Sequence, residues 1–89
     1  MVMAVLFFEV KDVDGFQGAI AGSRGLFEDV SGFNGSELRQ GVEEPQRFLI
    51  TADWDSVEAH RAWQDAHAQE FLGALGPYIE GPPDIKHYR

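Results

Sequence analysis

Cysteine is absent from this chain of 89 residues, which removes disulfides, thiolate nucleophiles and cysteine-ligated zinc together. Its absence suits a reducing compartment, and the cytoplasm is the expected location. Basic residues are scarce: 7 Lys and Arg stand against 15 Asp and Glu, for a formal net charge of −8. A nucleic-acid backbone or an anionic membrane would be repelled, and no Lys/Arg cluster offsets this. Neither partner is expected. No apolar run approaches the roughly 20 residues that span a bilayer. The run MVMAVLFFEV at the N-terminus reaches about half that length, without the basic flank and cleavage site of a secretory signal. Nucleophile elbow, HExxH zinc motif and phosphate loop are all missing. No nucleotide, flavin or metal cofactor is therefore expected. Asparagine occurs once, at Asn34. Without repeats or low-complexity segments, residues 1–89 read as one domain with a thin core.

What is present alternates between two periodicities. Val2 to Val10 is almost wholly apolar, the pattern of a central strand. From Asp14 onward Phe16, Ile20, Phe27 and Val30 recur at helical spacing, with Gly22 and Gly25 weakening that helix by about 1 kcal/mol each. SGFNG ends it, residues 33–40 form a more polar edge strand, and GVEEP is a hairpin loop. RFLITADW is a second apolar strand, with Phe48, Ile50, Ala52 and Trp54 on one face. Asp55 or Ser56 then caps a helix whose apolar stripe reads Ala59, Ala62, Trp63, Ala66. EFLGALGPYIEG adds a helical turn or two, broken at Gly76 and Pro77, and PDIKHYR closes as a strand. Asp12 and Asp14 faintly echo a calcium loop, but the other ligands are missing, so they read as turn and cap residues. The order is β-α-β-β-α-β: an α+β, ferredoxin-like fold on an antiparallel four-stranded sheet.

In this topology the first and third strands are central, and here they are the most apolar. Two helices cover one sheet face only, yet Met3, Val5 and Phe7 alternate with Leu6, Phe8 and Val10. Both faces of the first strand are oily. The uncovered face is expected to meet the sheet of a second copy, giving a homodimer with two-fold symmetry.

The segment VSGFNGSEL, and more so EPQRFLITADWDSVEAHRAW, resembles the antibiotic biosynthesis monooxygenase superfamily of dimeric α+β barrels. There a strand ends in Trp and is followed by a Ser-x-Glu-Ala helix start and a second aromatic residue. The resemblance runs over residues 2–89. It implies a small aromatic or carbonyl ligand, with activities that range over cofactor-free oxygenases, haem-degrading enzymes and small isomerases. Two departures stand out. The first strand has no Asn, and Gly73 occupies the place of the iron-ligating His of haem-degrading members, which disfavours haem degradation.

Carried onto this chain, the resemblance implies Trp54 and His67 as the catalytic pair. The indole walls a pocket and donates a hydrogen bond, and His67 acts as base. Asn34, Trp63, Tyr78 and His87 are candidate substrate contacts. Each also has a plainer reading: Trp54 as a core plug and Trp63 as packing. His60 and His67 lie about 10 Å apart along the helix, too far to share a metal ion, and His60 is expected to face water. The expected function is a cofactor-independent monooxygenase of phenolic or enolisable aromatics. The alternatives are an enediol-type isomerase and a non-catalytic dimeric binding module.

Overall fold

A computed structural model describes all 89 residues. The elements are β1 (Val2–Glu9), α1 (Val13–Gly22), a 3₁₀ turn (Arg24–Phe27), β2 (Phe33–Gln40), β3 (Arg47–Trp54), α2 (Val57–Leu75), a second 3₁₀ turn (Gly76–Tyr78) and β4 (Asp84–Tyr88). They form a single four-stranded sheet in the order β2-β3-β1-β4, antiparallel at every pairing. This is the ferredoxin-like β-α-β-β-α-β arrangement, with the two most apolar strands at its centre. No helix is long and apolar enough to cross a membrane.

Both helices begin where a short polar side chain can satisfy a first-turn amide. Asp12 accepts from the Gly15 N–H at 3.0 Å, and Ser56 accepts from the Ala59 N–H at 3.1 Å. Such caps are worth about 1 kcal/mol each. The first helix is shorter than its periodicity suggests. It stops at Gly22, where the Ser23 hydroxyl donates to the Ala19 carbonyl at 2.8 Å, and Leu26 and Phe27 follow in a 3₁₀ turn. Two glycines within four residues make a continuous helix too costly, so the apolar stripe bends over the sheet instead. The second helix is longer than expected, running unbroken through EFLGAL because Phe71 and Leu75 are buried beneath it.

Gly32 joins these parts. Its φ is +85°, and a Cβ there would lie 2.7 Å from the Ala59 side chain. Only glycine both takes that conformation and lets the loop before β2 touch the first turn of α2. The Asp55 N–H donates to the Gly32 carbonyl at 2.8 Å at the same point.

The core lies between the helices and one sheet face. Ala4, Leu6 and Phe8 of β1 and Phe48, Ala52 and Trp54 of β3 meet Phe16, Trp63, Phe71 and Leu75 from the helices. Phe16 is fully buried, its ring centroid 5.2 Å from Phe8 and 5.0 Å from Phe48. Burial of each such side chain contributes on the order of 1.5–3 kcal/mol. No helix covers the opposite face. Met3, Val5 and Phe7 pair there with Asp53, Thr51 and Leu49 on one side, and with Tyr88, Lys86 and Asp84 on the other. Met3 (36%), Phe7 (43%) and Tyr88 (49%) stand exposed in the single chain.

Candidate active site

Trp54 ends β3 with its side chain fully buried. The chain turns at once into α2, whose first turn lays His60 on top of that indole. The rings stack with centroids 4.9 Å apart and planes at 20°. From the far side of the sheet, β4 is in register so that His87 lies beside Ala4, on the helix-covered face. His60 Nδ1 and His87 Nε2 approach to 2.8 Å, a hydrogen bond in which one nitrogen carries the hydrogen and the other is bare. His60 Nε2 makes no hydrogen bond within the chain, and it is not sealed from solvent.

One turn further along α2, Trp63 sends its indole N–H to the Leu26 carbonyl at 2.9 Å and stacks on Phe27 at 4.5 Å. That bond ties the helix to the 3₁₀ turn. The Trp54 indole N–H, by contrast, is buried with no acceptor. An unsatisfied buried donor costs about 1–3 kcal/mol, so it calls for an explanation beyond packing.

A cavity of about 380 Å³ opens beside these rings, between sheet and helices. Leu6, Ile50 and Ala52 of the sheet form one wall, and Phe27, Phe33, Trp54, Trp63 and Phe71 line the others, with His60 among them. The polar residues Arg24, Glu28, Ser36 and Glu37 also border it, and all four are exposed. They form the mouth, where the 3₁₀ turn faces the β2 edge. His60 is the titratable group of the interior. Burial above all, and the neighbouring His87 charge second, lower its pKa to about 4, so the imidazole is neutral near pH 7. A flat apolar molecule entering this space meets stacked rings and one neutral imidazole.

The residues singled out in the sequence divide into two groups. Trp54 and Trp63 line the cavity. His67 does not: it is half-buried on the flank of α2, its ring centroid 5.9 Å from Trp63. Asn34 is exposed and donates to the Asp55 carboxylate at 2.9 Å, bracing β2 against the start of α2. The Tyr78 carbonyl accepts from the Lys11 N–H at 2.9 Å, and its ring packs over Gly15, where a Cβ would come within 2.5 Å. It lies outside the cavity lining. His87 is also outside it, in contact with His60. Gly73 faces open space on the exposed side of α2, so a side chain there would point away from the cavity.

The expectation that His60 faces water is overturned: the residue is 3% exposed. The alanines do not set the buried face of α2. At 100° per residue, His60, Trp63, Phe71 and Leu75 fall within an arc of about 120°, and all four are buried. Ala62 and Ala66, on the other side, are exposed. Large rings decide how a helix rolls, because a methyl group contributes little area. His67 also falls inside that arc. What separates the two histidines is the layer beneath, since His60 has both Trp54 and His87 to rest on.

A profile of the antibiotic biosynthesis monooxygenase family matches residues 1–74. The chain belongs to that family. Among its relatives is Protein SchA of Streptomyces halstedii, 28% identical over 91 residues. The match takes in 97% of this chain and 23% of SchA, so the chain spans about a quarter of that protein's length. The solved structure of a family protein from Bordetella bronchiseptica superimposes with a TM-score of 0.90 at 26% identity, covering 99% of this chain and 94% of that one. SnoaB, a cofactor-independent oxygenase from Streptomyces nogalater, gives 0.85 at 18% identity, with 99% and 90% covered. At that identity the likeness to SnoaB is one of fold.

Proposed function

We propose that this member of the antibiotic biosynthesis monooxygenase family is a cofactor-independent monooxygenase of small phenolic or enolisable aromatic compounds. The observation that carries the reading is the neutral His60 imidazole set in an aromatic cavity beside the unpartnered Trp54 N–H. His60 takes over the base role that the sequence assigns to His67, because His60 is the histidine lining the cavity.

The reaction follows from what these groups can do. His60 Nε2 removes a proton from the substrate carbon or hydroxyl, and the substrate anion passes one electron to O₂. The radical and superoxide combine into a carbon–oxygen bond, and the resulting peroxide takes back the proton from His60. Loss of water, with the second hydrogen of that carbon, leaves a quinone carbonyl. One oxygen atom ends in product and the other in water, so the substrate is the only reductant required. The Trp54 N–H supplies a donor for oxygen as negative charge gathers there, and the apolar walls keep water away from the anion.

The uncovered sheet face belongs to the same proposal. Met3, Phe7, Leu49 and Tyr88 lie on it, partly or largely exposed, and a second copy meeting it face to face would bury these side chains at a two-fold interface.

Oxygen uptake by protein freed of metal and flavin, given anthrone- or hydroquinone-type substrates, tests the chemistry. The expected result is one O₂ consumed per quinone formed. Turnover that continues without oxygen would identify an isomerase, and tight binding without turnover a ligand-binding module.

A further inference from the structure

His87 does not line the cavity. Its Nε2 nevertheless lies 2.8 Å from Nδ1 of the one imidazole that does line the cavity, and this bond can be made in two ways. Either His60 Nδ1–H donates to a bare His87 Nε2, leaving His60 Nε2 bare, or His87 donates and His60 presents Nε2–H. The two tautomers give the cavity opposite chemistry, a proton acceptor in the first case and a hydrogen-bond donor in the second.

The surroundings separate them. Around His60 the cavity wall is hydrocarbon and aromatic, and its carboxylates and hydroxyl, on Glu28, Glu37 and Ser36, are exposed at the mouth. An N–H aimed into such a wall has no acceptor, and buried orphan donors are rarer than under-satisfied acceptors. The adjacent Trp54 N–H is already a sealed donor without an acceptor; His60 Nε2 is less enclosed, but a hydrogen placed there would find no acceptor within the chain either. Placing the His60 hydrogen on Nδ1 gives it a partner.

Resting on the monooxygenase reading of this site, we infer that His87 is a positioning residue: by accepting from His60 Nδ1–H it fixes the tautomer whose bare Nε2 faces the substrate. His87 therefore sets whether the imidazole can act as a base. It stands on the last strand, 27 residues from its partner in sequence, and its role depends on the β1–β4 register.

Long-range ¹H–¹⁵N correlation of the imidazoles in the full-length protein at neutral pH decides the matter. The expected wild-type spectrum shows His60 protonated at Nδ1 and bare at Nε2. In His87→Gln the side-chain carbonyl can accept in place of Nε2, so the same tautomer should persist and oxygen uptake should stay within about tenfold. In His87→Phe the acceptor is gone, His60 should move toward the Nε2–H form, and uptake should fall roughly 10- to 100-fold, part of what a general base supplies. A wild-type His60 carrying its hydrogen on Nε2 would overturn the proposal, as would a His87→Phe protein with unchanged tautomer and unchanged uptake. If the spectra behave as expected while no substrate consumes oxygen, His87 keeps its positioning role and the monooxygenase reading fails.

Discussion

Replacing His60 with alanine should lower kcat/KM for oxygen uptake by about 10²–10⁴-fold, the usual contribution of a general base. His67→Ala should leave it within roughly twofold, as expected for a side chain off the cavity. The first substitution also removes a ring wedged against Trp54, so His60→Phe is the better control. It keeps the stack and the apolar volume while deleting both nitrogens. Equal loss in the two variants, with the fold intact by circular dichroism, assigns the effect to the base. The pH profile gives an independent check. A base must be unprotonated to act, and burial holds the His60 pKa at about 4, below the ordinary 6.5. Activity should therefore be flat through pH 6.5 and decline only as pH falls toward 4. A decline centred near 6.5 would point to a solvated histidine.

Phe7→Lys should turn a dimer into a monomer. Phe7 is 43% exposed in the single chain and pairs across the sheet with Asp84, so a lysine there has water and a carboxylate nearby. A monomeric protein should tolerate it within about 0.5 kcal/mol. In a face-to-face dimer the same lysine replaces an aromatic anchor and is stranded in an apolar layer. Truncating an anchor of that kind costs roughly 2–4 kcal/mol, about 30- to 1,000-fold in Kd. Sedimentation equilibrium should give twice the 9.9 kDa chain mass for the wild type, falling to the chain mass in Phe7→Lys. A wild-type protein that sediments as a 9.9 kDa species at micromolar concentration would remove the dimer.

Much of this fold is legible one element at a time. The continuous apolar runs of β1 and β3 mark them as central strands, and the polar residues of Phe33–Gln40 mark an edge; the sheet order has them so. The turn and cap reading of Asp12 and the placing of the second helix start at Asp55 or Ser56 rest on local hydrogen bonding, and Asp12 and Ser56 are the caps found. The end of α1 was less legible because the apolar period continues past Gly22, whereas the backbone tightens to a 3₁₀ turn.

The site required information that no local window holds. Trp54 and Trp63 stand out as large residues in a small chain. His60 does not, because a histidine among Glu58, Arg61 and Gln64 reads as solvated. Its burial is set by Trp54 on one strand and His87 on another, the latter placed by the pairing of β4 with β1. Asn34 and Tyr78 mislead in the opposite direction. The Asn34 amide is taken up by the Asp55 carboxylate 21 residues on, and the Tyr78 ring packs over Gly15, outside the cavity lining.

Titration of isotopically labelled protein with a planar hydroxyquinone, a product of the proposed reaction, tests most directly whether the cavity over Trp54 and His60 is the site. The expected result is a large shift of the Trp54 indole N–H and the His60 ring nitrogens. The Trp63 N–H should move less, since it is already bonded to the Leu26 carbonyl, and His67 should stay still. Saturable binding that shifts His67 while Trp54 and His60 remain unmoved would contradict that placement.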